Sequence, residues 1–116
     1  WIDKAGQPQE KIFNVAWSQQ DQRKEVDGKL TPVSNTVDLA TATYQNSIGA
    51  SELMGAFTDP EFDPAQRAFY YLRAVEIPTP RWTAYDAQRF NLQMTPDVPM
   101  IQQERVVTSP IWYNPS

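Results

Sequence analysis

Hydrophobic positions in this chain alternate with polar ones over several short stretches, which is the pattern of β-strands. The densest stretch is Arg67–Ile77, where aromatic and β-favouring residues are nearly continuous. This density predicts a central strand covered on both faces. Pro78 and Pro80 follow, and we expect them to end the strand because proline has no N–H to donate to a ladder.

Four weaker stretches also favour strands: Lys11–Trp17, Asn35–Tyr44, Ser51–Phe57 and Arg105–Tyr113. The first places Phe13, Val15 and Trp17 on one face at a spacing of two residues. The alanines of Asn35–Tyr44 also suit a helix. For Ser51–Phe57, a short helix that starts at Ser51 is the alternative. Pro110 predicts that the last strand lies at an edge or is broken by a bulge.

The connections carry clear turn signals. Gln19–Thr31 is polar, and its Asp27-Gly28 pair predicts a tight turn in an exposed loop or a small hairpin. Thr58–Pro64 predicts a loop with Asp-Pro turns at its two ends. Asn91–Met100 contains two prolines and should be extended and irregular.

Thr83–Phe90 predicts the one short helix of the chain. Thr83 is the expected N-cap, with Asp86 three residues later as an acidic form of the capping box. About five β segments and this helix predict a mainly β protein. We expect residues 1–116 to form a single β-rich domain or domain fragment, a small antiparallel β-sandwich of immunoglobulin-like type with long proline-rich loops.

Composition supports a folded chain and narrows its partners. Hydrophobic residues make up 41% and charged residues 21%, which is typical of globular proteins. The net charge is −4, so we expect no nucleic-acid partner. No apolar run approaches the ~20 residues of a membrane helix, so we expect no membrane insertion.

The chain has no cysteine and no histidine. Thiolate metal sites and thiol nucleophiles are therefore excluded, and so are the commonest general base and the commonest metal ligand. We expect no cofactor and no resident metal. The first residue is Trp1 rather than Met, so we expect a processed product or a fragment of a longer protein, without a signal peptide of its own.

Carboxylates are the groups best suited to chemistry. Asp59, Glu61 and Asp63 alternate as at the start of a calcium loop, although the later positions of an EF-hand are not matched. An irregular calcium site and a loop in which these residues cap turns are both open interpretations. Asp38 and Glu76 are the best candidates for a catalytic carboxylate pair, because each lies within an apolar stretch.

The segment after the dense strand combines prolines with an arginine and a tryptophan. We name Pro78, Pro80, Arg81, Trp82 and Tyr85 as candidate interface or ligand contacts. The segment suits a docking loop, since Trp and Arg are common interface anchors. The alternatives are a loop folded over its own core and, less favoured by the sequence, a sugar- or peptide-binding platform.

Arg73, in the middle of the dense strand, has two interpretations. Its stem could lie along a sheet face with the guanidinium at a neighbouring acid or at the rim of the sheet. Alternatively, it could contact another domain. We favour the first.

Three segments resemble the carboxy-terminal end of a bacterial family, domain-of-unknown-function family 3604. They are NTVD at 35–38, DPEFDPAQRAFYYLRAVEIPTPRWTAYDA at 59–87 and QERVVTSPIWYNP at 103–115, and EKIFNVAWS at 10–18 fits the same family. The resemblance covers most of the chain and is weakest over 19–29. Ser34 and Ala74 depart from the pattern where we expect glycine and a larger aliphatic residue.

The resemblance implies that members are long and often exported, so it points to a periplasmic or secreted location. Their upstream part is similar to PHP-type metal-dependent hydrolases of the amidohydrolase group. This chain lacks the histidines of such a metal site, and no catalytic residue carries over. It would be a non-enzymatic accessory C-terminal region whose partner is the upstream domain of the parent protein.

Two alternatives of other classes remain open. One is an independent carbohydrate- or ligand-binding β-sandwich module that uses Trp82 with Tyr85 or Trp112. The other is a small carboxylate enzyme.

Overall fold

The computed structural model describes residues 1–116 as a mainly β chain with one short helix. Its elements are β1 (Glu25–Val26), β2 (Lys29–Leu30), β3 (Ala68–Tyr70), β4 (Arg73–Val75), β5 (Thr79–Pro80), α1 (Trp82–Phe90), β6 (Ile101–Gln102), β7 (Arg105–Val107) and β8 (Ile111–Tyr113). They form four antiparallel sheets of two strands each. The mainly β prediction is confirmed.

Three of the four sheets are successive parts of one long ribbon. β3 pairs with β8, β4 with β7 and β5 with β6, so residues 68–80 run antiparallel to residues 101–113. α1 and the 91–100 loop connect the two strands at one end of this ribbon. The predicted strand over Arg67–Ile77 is therefore present as β3 and β4. Its central position was wrong, because the ribbon gives each strand a neighbour on one side only.

The ribbon contains two offsets of one residue, and they cancel. Between the pairs Tyr70–Ile111 and Arg73–Val107, two residues of the first strand face three of the second. Between β4–β7 and β5–β6, residues 76–78 face only 103 and 104. The longer side contains a proline in both places, Pro110 in one and Pro78 in the other. Proline is tolerated where a ladder bulges because no N–H is needed there.

Side chains replace ladder hydrogen bonds at both offsets. Thr108 Oγ1 accepts a hydrogen bond of 3.0 Å from the backbone N–H of Leu72, while the Thr108 N–H donates to the Leu72 carbonyl at 3.0 Å. At the second offset, Gln103 Nε2 donates to the Glu76 carbonyl at 2.9 Å. These bonds keep the ribbon continuous where its regular pairing fails.

Pro80 does not end the strand, contrary to our expectation. It pairs with Ile101 in β5–β6. The next residue, Arg81, donates its backbone N–H inward to the Met100 carbonyl at 2.9 Å. Because inward and outward groups alternate along an antiparallel strand, the nitrogen of Pro80 faces outward, where the missing N–H breaks no pairing.

Before residue 68, turns and loops dominate. The Asp27-Gly28 turn is confirmed: β1 and β2 form a hairpin around it, and both turn residues have positive φ angles of 50° and 73°. Glycine adopts this conformation without the Cβ clash that other residues meet.

The predicted strands Lys11–Trp17 and Ser51–Phe57 were wrong, since neither belongs to a sheet. The two segments instead touch through side chains, with the rings of Phe13 and Phe57 4.7 Å apart. A Cβ at Gly55 would lie 3.0 Å from Val15 Cγ1, so glycine lets these two backbones come close. The helix alternative from Ser51 is also absent.

Asn35–Tyr44 was also wrongly predicted as a strand. It folds into turns joined by a single bridge between Asp38 and Thr43. Asn35 Oδ1 accepts from the Val37 N–H and Asp38 Oδ1 from the Ala40 N–H, each at 2.9 Å. Such local side-chain bonds offer the backbone an alternative to a ladder, and they outweigh the β-branched residues of this segment.

Only six of the 116 residues are buried: Ala42, Ile48, Pro78, Pro80, Thr83 and Ala84. Four of them lie where β5 leads into α1. The segment around Ile48 lies against this junction, since a Cβ at Gly49 would be 2.9 Å from Ile77 Cγ2. The molecule is elongated, 62 × 31 × 24 Å. The predicted sandwich is not confirmed, because the sheets have two strands each.

Candidate functional site

The structure divides the five candidate contact residues into a buried and an exposed group. Pro78 and Pro80 are buried, and Arg81 is half-buried. Trp82 is 61% exposed and Tyr85 is 47% exposed. Trp82 and Tyr85 are therefore the two candidates that an outside molecule can readily contact, whereas Pro78 and Pro80 form part of the small core.

α1 positions the two exposed aromatics. The N-cap is Arg81, in extended conformation and without a side-chain cap, so the prediction of Thr83 as N-cap was wrong. Thr83 lies inside the first turn, buried, and its hydroxyl donates to the Pro99 carbonyl at 2.6 Å. Trp82 and Tyr85, three residues apart, share the opposite side of the helix.

Arg81, which directly precedes this aromatic pair in the chain, has an incomplete set of partners. Its Nε is buried and has no hydrogen-bond partner, and its guanidinium is not part of an ion pair. The backbone carbonyl of Arg81 accepts from the Ala84 N–H at 2.9 Å, the first turn of the helix. Arg81 thus starts α1 through its backbone.

We call Thr58–Pro64 the acidic loop. Its carboxylates form hydrogen bonds and an ion pair with other groups of this chain. Asp59 Oδ1 accepts from the Glu61 N–H and Asp63 Oδ1 from the Ala65 N–H, each at 2.9 Å. Glu61 forms an ion pair with Lys11. No group of three acidic side chains that could hold a metal ion is present. The geometry fits the turn-capping interpretation of this loop.

Tyr70 fastens the acidic loop to the ribbon. Its hydroxyl donates to Asp59 Oδ2 at 2.7 Å. This hydrogen bond, together with burial and the negative charge of Asp59, raises the pKa of Tyr70 to about 12. On the same side, Tyr113 donates to the Pro64 carbonyl at 3.0 Å and meets the ring of Phe62 edge-on at 4.9 Å. The loop therefore covers one face of β3–β8.

Beside Asp59 lies a cavity of about 560 Å³, lined mainly by aromatic and aliphatic side chains, among them Phe57 and Ile111. A second cavity, of about 490 Å³, lies between α1 and the 91–100 loop and has no acidic residue in its lining. Neither contains two facing carboxylates. Asp38 and Glu76, the predicted catalytic pair, line neither cavity, and both are exposed.

Sequence reasoning missed a second group of exposed aromatics, on the uncovered face of β3–β8. We call Phe69, Tyr71 and Trp112 the aromatic cluster. Phe69 stacks on Tyr71 at 6.2 Å and lies 5.0 Å from Trp112, its cross-strand partner. All three are exposed, Trp112 by 63%. Period-two spacing of Phe69 and Tyr71 was the available signal, but we interpreted both faces of that strand as covered.

The ribbon separates the aromatic cluster from the aromatics of α1. Trp112 pairs with Phe69, thirteen residues before Trp82, and extended chain of that length spans roughly 40 Å. The predicted platform of Trp82 with Trp112 therefore is not formed within one chain. Trp82 and Tyr85 are the pair that shares one exposed side of α1.

The one helix of the structure has nine residues, and it lacks the length and apolar character of a membrane-spanning segment.

A family model described as "Protein of unknown function (DUF3604)" matches residues 1–115 of the chain. Comparison with curated proteins and with solved structures finds no match.

Proposed function

The chain belongs to the DUF3604 family of proteins of unknown function, and from that premise we propose that it is a non-catalytic accessory region. It stabilises or shapes the catalytic domain of a larger, metal-dependent hydrolase-like protein by packing against it. The hydrolase character and bacterial origin of the parent are part of this proposal. They rest on the resemblance of the family's upstream part to PHP-type enzymes, and so does a periplasmic or secreted location.

The observation that carries the proposal is the shortage of buried surface. The chain exposes 9353 Å² and buries only six residues. A compact monomer of the same mass exposes about 6,450 Å², so the excess is about 2,900 Å². A standard interface hides about 800 Å² on each partner. The excess is of the size that a chain packed permanently into a larger protein conceals.

The composition of the exposed surface points the same way. Twenty-one large hydrophobic side chains are exposed, far beyond the scattered apolar residues that are normal on monomers. The radius of gyration, 19.2 Å, exceeds the roughly 13 Å of a compact chain of this length. A long ribbon with two free edges is marginally stable alone, and a neighbouring domain supplies the missing contacts. A β-sandwich would then form only with strands from outside this chain.

Hydrogen exchange tests the proposal directly. We compare amide exchange over 68–80 and 101–113 in the isolated chain and in the parent protein. Docking predicts slow exchange of these amides in the parent and exchange at least tenfold faster in the isolated chain, because the ribbon opens easily when uncovered. Equally slow exchange in the two contexts would show that the chain is an autonomous domain, and fast exchange in the parent would refute docking.

One observation favours a second candidate, a carbohydrate- or ligand-binding module. Trp82 and Tyr85 are exposed on one side of α1, an arrangement on which a sugar ring can stack. Affinity electrophoresis in gels containing polysaccharides distinguishes the two. Retardation that is lost in Trp82→Ala and kept in Trp112→Ala supports a binding module. Absence of retardation in every gel would refute the binding module and leave docking as the one proposed function.

A further inference from the structure

The aromatic cluster continues along the ribbon as a face with two arginines. Side chains alternate along a strand, so Arg73 and Val75 follow Tyr71 on the uncovered face. The register places Val107 opposite Arg73 and Arg105 opposite Val75. All four side chains are exposed. We call the aromatic cluster together with these four residues the arginine face.

The two arginines have no negative partner within this chain. The one ion pair of the structure joins Lys11 to Glu61. Our preferred interpretation of Arg73 allowed its guanidinium either a neighbouring acid or the rim of the sheet; the acid is not found, and the side chain is exposed. Arg73 and Arg105 are diagonal neighbours, about 7–8 Å apart in such a pair. Their like charges oppose each other, although the chain has 14 acidic residues against 10 basic ones.

The opposite face of the ribbon differs in charge and in cover. Glu76 donates its backbone N–H to the Glu104 carbonyl at 3.0 Å, so these two residues face each other across the strands. By alternation they lie on the side away from Arg73. The same side is covered near Tyr70 by the acidic loop. Within the two strands of the ribbon, negative charge is thus confined to the face that the chain itself partly covers.

We infer that the arginine face docks on an acidic and partly apolar surface of the parent protein, whose carboxylates pair with Arg73 and Arg105. This inference rests on the proposed accessory function and names the surface and the chemistry of the contact. Arginine presents a planar fork that binds carboxylates in a bidentate manner. Arginine, tryptophan and tyrosine are also the residues that dominate binding energy at interfaces.

The parent suits this face better than a second copy. Packing the arginine face of one chain on the glutamate face of another is a heterologous contact, which gives rings or open filaments rather than the two-fold dimers that are commonest among soluble oligomers. The excess of exposed surface, about 2,900 Å², is also larger than one face of the ribbon can hide. Covering it requires contact with a large domain.

The test uses the parent protein with two double variants of matched size. Arg73→Gln with Arg105→Gln removes the charge of the arginine face, and Glu76→Gln with Glu104→Gln removes that of the opposite face. Chymotrypsin, which cleaves after aromatic residues and is indifferent to arginine, reports how often the cluster becomes accessible. We expect the arginine variant to be cleaved about tenfold faster or more, and the glutamate variant to change less than twofold. Arg73→Lys with Arg105→Lys keeps the charge but loses the planar fork, so we expect a cleavage rate between those of the unmodified parent and the glutamine variant.

Each other outcome overturns the inference in a distinguishable way. Equal cleavage of both variants, with slow amide exchange in the parent, refutes the arginine face and leaves docking intact. Fast exchange in the unmodified parent refutes docking and this inference together. Light scattering of the isolated chain tests for a second copy. Assemblies that form with the unmodified chain and are absent with the arginine variant would identify a second copy as the occupant instead.

Discussion

Replacing Tyr70 with phenylalanine removes one oxygen atom and with it the bond that holds the acidic loop on the ribbon. The Tyr70 hydroxyl donates to Asp59 Oδ2 at 2.7 Å in a half-buried position. A hydrogen bond in such a place contributes about 1 kcal/mol to stability. The neighbouring Tyr71 has an exposed ring on the uncovered face, so Tyr71→Phe is the matched control.

The sign of the pH dependence follows from the raised pKa. The hydrogen bond to Asp59, with burial and the charge of that carboxylate, moves the pKa of Tyr70 from the ordinary 10.0 to about 12. The folded state therefore favours the un-ionised phenol. This contribution is complete below pH 10.0 and is lost as the pH rises through about 12. The stability difference between the unmodified chain and Tyr70→Phe should shrink over that interval.

Two measurements check this reasoning. The chain has five tyrosines, so one fifth of the phenolate absorbance change should occur late, near pH 12. Tyr70→Phe should remove that late phase, and Tyr71→Phe should leave it in place. Urea unfolding near pH 7 should show the loss of about 1 kcal/mol in the first variant only. A late phase that survives in Tyr70→Phe, or equal destabilisation by both substitutions, would refute the loop attachment.

Three further predictions concern the ribbon, the helix and the whole chain. Thr108→Val preserves shape and β preference but leaves the Leu72 N–H without its acceptor, so thermal unfolding should show a loss of about 1 kcal/mol. Thr83→Val removes the bond to the Pro99 carbonyl and should reduce the helical circular dichroism signal, whereas Thr79→Val, at a site without a side-chain hydrogen bond, should not. Urea unfolding of the isolated chain should have a slope about three quarters of that of a compact domain of equal length, since the slope follows the surface exposed on unfolding. A full slope with a sharp transition would contradict the exposed surface described above.

The elements that sequence predicted correctly are those fixed by local chemistry. The Asp27-Gly28 hairpin depends on two residues that tolerate positive φ. α1 was found to within one residue at its start. Pro110 predicted a break in the last strand, and the first offset lies there. Each of these depends on a few neighbouring residues, which a single sequence contains.

The elements predicted wrongly depend on what lies next to a segment in space. Lys11–Trp17 has strand-like periodicity, yet no neighbour in this chain offers it a ladder. Arg67–Ile77 has the density of a covered strand, and its sequence does not reveal whether the cover belongs to the same chain. The same gap hid the arginine face, because periodicity shows which residues share a side and not whether that side is occupied.

The two cancelling offsets of the ribbon impose a rule on changes in chain length. A residue lost from the shorter side of an offset, for example Leu72, would shift every pair beyond it by one position. Phe69 would then turn to the opposite side, towards the acidic loop. Apart from the one extra residue at each offset, insertions and deletions inside 68–80 and 101–113 are therefore tolerable only in matched pairs, one on each strand. The hairpin at Asp27-Gly28 is free of this coupling, so related proteins should vary in length there and keep a constant count along the ribbon.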